Sequence, residues 1–400
     1  MSQTAASTTD TAKAAPLKGL RVALFSGNYN YVRDGANQAL NRLVDYLLRQ
    51  GAEVRTYSPT VENPAFEATG PLISVPSFAI PGRAEYRFPL ALSPSVRANL
   101  DEFDPNIVHV ASPDVVGHRA VSWARDRDVV VLASVHTRFE TYPRYYNMAF
   151  LEPLVVKMLR RFYNRCDALV APSESMVRVL KEQGMSDDVS LWTRGVDRDV
   201  FNPGARDMEW RKSLGIANDE KVVGFLGRLV MEKGLDVFAA TIAKLRERGV
   251  AHRVLVIGEG PARGWFEENL AADDGKGAVF VGHQSGADLG RAVASMDMLF
   301  NPSITETFGN VTLEAMACEL PVVAAAATGS ESLVADGISG ALVKPGDVTA
   351  FADALQAYLT DPALARAHGK AGEMRARDFA WDTINQAVAD TYQRLLEERG

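Results

Sequence analysis

Residues 297–314 run DMLFNPSITETFGNVTLE: a short apolar strand, a Ser/Thr-rich turn, and a helix that opens at Gly309. Glu306 stands before that helix start and Glu314 on its second turn. A helix N-terminus presents unpaired backbone N–H groups, here those of Phe308, Gly309 and Asn310. With the positive end of the helix dipole, these suit a phosphate. Glu314 lies roughly 7 Å further along the axis at the α-helical rise. There a carboxylate reaches past a diphosphate and accepts hydrogen bonds from both hydroxyls of a ribose. Glu306 falls on the other side of the phosphate, where a sugar would lie. A capping carboxylate and a solvated one would account for the same pair, so its surroundings must decide.

Two cations belong to those surroundings. Arg228 and Lys233, in GRLVMEKGLDVF (227–238), sit at the carboxyl end of a strand near the proposed phosphate. Breaking a sugar–phosphate bond leaves negative charge on a nucleoside diphosphate, which fixed cations and a helix N-terminus stabilise without a divalent metal. Elsewhere the same spacing would be a pair of surface cations. His136 ends the strand VVVLASVH and opens the polar run HTRFETYPRYY, a position open to a packed or capped residue as well as to a ligand-binding one. Behind it Arg138, Tyr142 and Arg144, with Glu140 and Tyr145, offer cationic and aromatic groups fit for an acceptor. Two Asp-x-Asp triplets, Asp126–Asp128 and Asp197–Asp199, lie in a helix-to-strand turn and in the GVDRDVFNP stretch. They read as turn and cap chemistry, not as metal ligands.

The elements that must position these residues alternate regularly. RVALFSG, NIVHVAS, VVVLASVH and ALVAPS are apolar strands divided by helices, and the pattern restarts after RGVDRDVFNPGAR with KVVGFLGRL, HRVLVIGEG, AVFVGH, MDMLFNPS, PVVAAA and GALVKPG. Such alternation predicts two parallel, doubly wound α/β sheets with a boundary near 195–206. Active sites in these sheets lie beyond the carboxyl ends of the strands. The loop SGNYNYVRDGAN departs from the dinucleotide-binding glycine spacing, which disfavours a nicotinamide cofactor, and no other cofactor is expected.

ETFGNVTLEAMACELPVVA, with the strand before it and VVAAAATGSESLVADGISGALVKPGD after it, resembles the E-x7-E region of the family 4 glycosyltransferases. The resemblance runs from Leu20 to about Leu396. The segments TRFETYPRYYNM and VSLWTRGVDRDVFNP look like those of bacterial GDP-mannose-dependent α-mannosyltransferases and sulfoquinovosyl-diacylglycerol synthases. The resemblance implies the GT-B fold: two Rossmann-like domains facing across a cleft, with the last helix crossing back to the first. The implied division is a tail at 1–16, an acceptor-side domain at 17–200, a nucleotide-sugar domain at 201–375 and the returning helix at 376–400. It also implies that Arg228 and Lys233 form the family's diphosphate clamp and that Gly35 lets the backbone approach donor or acceptor. His136 would hydrogen-bond the donor sugar or its phosphate. Transfer would retain the anomeric configuration by a front-face route, in which the leaving phosphate deprotonates the acceptor hydroxyl.

Composition narrows the partners. A net charge of −7 argues against a nucleic-acid binder. The charge is uneven: 23 basic and 22 acidic residues in 1–200 give +1, and 20 and 28 in 201–400 give −8. The helix LVVKMLRRFYNRC (154–166) sets Lys157, Arg160, Arg161 and Arg165 among apolar residues, which suits either an anionic membrane surface or a core-packed helix with a solvated edge. Cys166 and Cys318 form no metal-ligand spacing and read as buried thiols of a reducing cytoplasm. The first sixteen residues are small and polar, a disordered tail and not a signal peptide. The expected protein is therefore a cytoplasmic or membrane-peripheral hexosyltransferase that uses a GDP- or UDP-linked sugar and a lipid or glycolipid acceptor. A soluble saccharide or polyol acceptor, a GT-B sugar-nucleotide epimerase and a non-catalytic sugar-nucleotide binder are the alternatives.

Overall fold

The structure, a computed structural model, describes residues 16–32, 34–80, 83–141, 148–272, 277–306, 308–327 and 329–400. They divide into two compact units. Unit 1 holds the described residues up to Ser134 with Arg165–Asp167 and Ala389–Gly400; unit 2 holds those of Val135–Asn164 and Ala168–Val388. Tyr142 and Arg144 lie outside the described residues.

In unit 1, strands β1 (Arg21–Phe25), β2 (Glu53–Ser58) and β3 (Leu72–Ser74) run parallel, and β4 (Ser77–Ile80) and β5 (Arg83–Pro89) form a separate antiparallel ribbon. β6 (Ile107–Val110) and β7 (Val130–Ser134) complete the parallel set in the order β3-β2-β1-β6-β7. In unit 2, β8 (Ala168–Ala171) pairs in parallel with β9 (Val189–Leu191). A six-stranded parallel sheet follows, built from β10 (Val222–Leu226), β11 (Arg253–Ile257), β12 (Val279–Phe280), β13 (Met298–Asn301), β14 (Val322–Ala325) and β15 (Gly340–Val343). Its order is β12-β11-β10-β13-β14-β15.

The strand sequences dictate this arrangement. IVHV, VVLAS, ALVA, RVLVI, MLFN and VVAA are buried at every position, as parallel strands covered on both faces must be. Side-chain caps start the intervening helices: Asp34, Ser93, Asp114, Ser173, Asp207, Asp347 and Asp361 each accept a backbone N–H of the first turn. In unit 2 the chain lays strands to one side of β10, then returns to lay β13–β15 on the other. The crevice at such a reversal, beyond the carboxyl ends of the two central strands, is where this kind of sheet binds ligands. Below it the rings of Phe225, Phe238, Phe266, Phe300 and Phe351 pack on one another, a rigid floor under β10 and β13.

The last helix spans Trp381–Glu397. Its Tyr392 hydroxyl meets His109 Nδ1 at 2.6 Å, and His109 Nε2 meets Ser134 Oγ at 2.8 Å, all three inside unit 1. Arg399 donates to the Asp128 carbonyl at 2.7 Å and pairs with Asp167. The Asp triplets do turn work. Asp126 closes the helix Val115–Arg125, and Asp197 accepts the backbone N–H of Asp199. Cys166 and Cys318 are buried free thiols. Among the described residues, no helix is long and apolar enough to cross a membrane.

Candidate active site

The loops that follow β10 and β13 carry Arg228, Lys233, Glu306 and the segment from Phe308 to Glu314. Arg228 stands exposed two residues past β10, and Lys233 closes the 3-10 turn Met231–Lys233. Gly258, which follows β11, holds the loop that carries them: a Cβ there would lie 1.9 Å from the Gly227 carbonyl, so only glycine fits. Leu229 donates its N–H to the Glu259 carbonyl at 2.9 Å, tying the two strand ends together.

From β13 the chain turns through Asn301-Pro302-Ser303. Asn301 donates to Thr312 Oγ1 at 3.2 Å and accepts from the Ser303 backbone at 3.3 Å, which fixes the turn to the helix that follows. The helix spans Asn310–Ala317, with Gly309 as its cap at φ +100°. That left-handed backbone needs glycine, and a glycine cap supplies no side chain to the first-turn N–H groups. They are left to a ligand or water. Phe308 is buried and packs edge-on against Phe379, centroids 5.8 Å apart. Of the residues named from the sequence, Phe308 thus gives its side chain to the core and leaves its backbone to the crevice.

Lys233 Nζ and Glu306 Oε1 are 2.5 Å apart, so the two strand ends meet through an ion pair. Glu314 is half-buried on the helix. Burial, and then the charge of Glu306, push its carboxyl up to about 8. The site therefore holds a cation–anion pair, a second cation, an uncapped helix start and a carboxyl poised to titrate near neutrality. A diphosphate could take the Lys233 ammonium from Glu306 and sit on the helix start beside Arg228. Glu306 would then be free for sugar hydroxyls and Glu314 for a ribose.

His136 belongs to a second group of contacts. Its Nδ1 lies 2.8 Å from Arg194 Nη2, and its ring meets Trp192 edge-on at 5.5 Å. Neither Arg194 nor Trp192 was singled out as a site residue. The signal was a lone Trp-Thr-Arg-Gly run after a strand, whose partner only the fold supplies. Arg138 pairs with the buried Glu140 at 2.7 Å. Gly35 is the first residue of the helix Gly35–Arg49, capped by Asp34, where the sequence had placed it in a loop. At the end of β1 it is Gly27 that bonds across to β6's continuation, its N–H donating to Ser112 Oγ at 3.0 Å.

The chain as a whole is similar to known proteins. Residues 33–200 match the model described as Glycosyltransferase Family 4, and residues 220–361 that of Glycosyl transferases group 1. The chain is 32% identical over 372 residues to sulfoquinovosyl transferase SQD2 of Arabidopsis thaliana, covering 91% of this chain and 71% of that one. It is 30% identical over 385 residues to a GDP-mannose-dependent alpha-mannosyltransferase of Mycolicibacterium smegmatis, covering 95% and 99%. In fold it is similar to Anabaena HepE, solved in complex with UDP and glucose, with a TM-score of 0.71, 19% identity and coverage of 94% and 99%.

Proposed function

The chain belongs to glycosyltransferase family 4 and is a nucleotide-sugar glycosyltransferase, and on that premise we propose that it moves a hexose from a GDP- or UDP-linked donor to a hydroxyl of a membrane lipid or glycolipid. The observation that carries the donor half is the meeting of Lys233 and Glu306 beside the uncapped start of Asn310–Ala317. The donor diphosphate lies on that helix start between Arg228 and Lys233. Glu306 binds sugar hydroxyls and Glu314 the ribose. As the bond from the anomeric carbon to phosphate oxygen breaks, both cations and the helix dipole stabilise the leaving diphosphate. The acceptor oxygen attacks the same face, its proton passes to the leaving phosphate oxygen, and configuration is retained. His136 donates a hydrogen bond to the donor sugar or phosphate. In this reading residues 17–200 serve the acceptor and 201–375 the donor. Support for a GDP- or UDP-linked hexose comes from the relative named for GDP-mannose and from the neighbour that holds UDP and glucose.

The lipid half rests on the helix Glu152–Tyr163. Leu159, Phe162 and Tyr163 are its buried side, whereas Leu154 and Met158 are 55% and 62% exposed, as is Phe150 at 76% in the 3-10 turn just before the helix. Lys157 and Arg161 are exposed on the same stretch. Arg160 donates to the Gln183 carbonyl and Arg165 to Ser122, so two of the four cations hold hydrogen bonds within the fold. An apolar stripe flanked by two cations fits the interface of an anionic bilayer.

The donor is tested by thermal shift with UDP-, GDP- and ADP-sugars, followed by product analysis of the anomeric linkage. Donor turnover without any acceptor, or an inverted product, overturns the transfer mechanism. The lipid is tested by flotation with anionic and neutral vesicles. Wild type binds anionic vesicles in a salt-sensitive way, and a Phe150/Leu154/Met158→Ser variant does not. Equal recovery of both makes a soluble saccharide or polyol the acceptor and leaves the donor chemistry untouched.

A further inference from the structure

We propose that Arg194 is a positioning residue that holds His136 as the neutral imidazole with its proton on Nε2, making it a hydrogen-bond donor and barring it from acting as a base. The proposal rests on the reading of His136 as a donor-binding group. It starts from how two loops meet. Val135 donates its N–H to the Val170 carbonyl and Trp192 donates its own to the Ala171 carbonyl, so the chain leaves β8's two sides at neighbouring positions. His136 and Arg194, one and two residues further along, come together there.

Arg194 has one orientation available. It is 4% exposed, Nη1 donates to the carbonyls of Trp192 at 3.0 Å and Thr193 at 3.2 Å, and its guanidinium lies 5.1 Å from the centre of the Trp192 ring. Trp192 is itself buried, and its Nε1 donates to Asn385 Oδ1 at 3.3 Å. The remaining arm, Nη2, points at His136 Nδ1 from 2.8 Å. A guanidinium has only donors and stays protonated, so the imidazole nitrogen facing it must offer its lone pair. The proton is then on Nε2. The opposite tautomer, or an imidazolium, would set N–H against N–H at that distance. On the same loop Arg138 pairs with Glu140 at 2.7 Å.

The chemical consequence is specific. A nitrogen that already carries a proton cannot take one from an acceptor hydroxyl. His136 therefore donates, and the acceptor's proton must leave by another oxygen, which agrees with its passing to the departing phosphate.

Nitrogen-15 histidine spectra of the whole protein read the tautomer directly. Wild type is expected to show His136 neutral with Nε2 protonated; a proton on Nδ1, or an imidazolium at pH 7, overturns the proposal. Arg194→Met frees the ring to populate the other tautomer, and kcat/KM for the donor falls by roughly tenfold, the loss of one charged-group hydrogen bond. Histidine spectra of that variant are expected to show both neutral tautomers of His136. A purely structural defect would lower turnover without moving the proton to Nδ1. Arg194→Lys, which keeps one N–H donor, restores part of the turnover and serves if the methionine variant does not fold. In a His136→Ala background Arg194→Met should add nothing; an undiminished loss there overturns the proposal. Full turnover of His136→Ala itself would overturn the donor-binding reading instead, and the spectra would still report the tautomer separately.

Discussion

At the residue scale the proposed chemistry rests on Glu314, Arg228 and Lys233. If Glu314 grips the ribose, Glu314→Ala weakens donor binding by about 1–3 kcal/mol in calorimetric titration, the cost of leaving a buried hydrogen-bonding partner unpaired. The same carboxyl makes the fold pH-sensitive. Its value stands at about 8 in the folded protein against 4.5 ordinarily, so between these the folded state holds a proton that the unfolded chain has lost. Stability therefore falls as pH rises through that window. Glu314→Gln, neutral throughout, should melt higher than wild type at pH 9 and alike at pH 4, while binding donor less well. A melting curve unmoved at pH 9 would mean that Glu314 is solvated like a surface carboxyl. For the clamp, Arg228→Ala and Lys233→Ala should each lower turnover by roughly 10²–10³, as removal of one preorganised charge-stabilising group does. A chelator should leave wild type unaffected; activity lost to EDTA and restored by manganese would make the metal-free route untenable.

At the scale of elements, the site depends on two strand ends held at backbone contact. Gly258 touches the Gly227 carbonyl, and the turn that carries Arg228 and Lys233 is built on that approach. Gly258→Ala must push the loops apart. We expect a loss of about 1–3 kcal/mol of stability in urea melts, the cost of overpacking a tight site, together with weaker donor binding. Unchanged donor affinity would show that the clamp is positioned from the helix side alone. The basic helix illustrates how packing redistributes what a sequence displays. Its sequence shows four cations among apolar residues, but two of the cations hold hydrogen bonds within the fold, and Leu154 and Met158 stand exposed beside them.

For the whole molecule, the C-terminal helix is tied into unit 1 by a fully buried histidine. Burial holds His109 down at about 3, far below its ordinary 6.5. As pH falls from 6.5 toward 3, the unfolded chain gains a proton that the folded one refuses, and stability is lost. Replacing His109 by Gln should remove that part of the acid slope of the melting temperature. Tyr392→Phe, which deletes the hydroxyl at 2.6 Å, should cost about 1–2 kcal/mol and speed amide exchange across Ala389–Gly400. Unaltered exchange there would mean that Arg399 and the apolar contacts hold the helix end without it.

The sequence by itself determined the α/β class, the parallel strands and the family. Apolar strands and cap residues are local signals, and Glu306, Gly309, Asn310 and Glu314 lie on one short segment whose geometry follows from a strand, a turn and a helix. Arg228 and Lys233 were legible for the same reason, as residues directly after a strand. The tertiary structure decided what depends on meetings between distant segments. It set Lys233 against Glu306 across 73 positions of chain. It set Arg194 against His136 across 58, and Tyr392 against His109 across 283. Spacing carries no information about such partners, because strand order, and not chain order, brings them together. A carboxyl's ionisation near neutrality is likewise a property of burial and a neighbouring charge, and neither exists until the chain has folded.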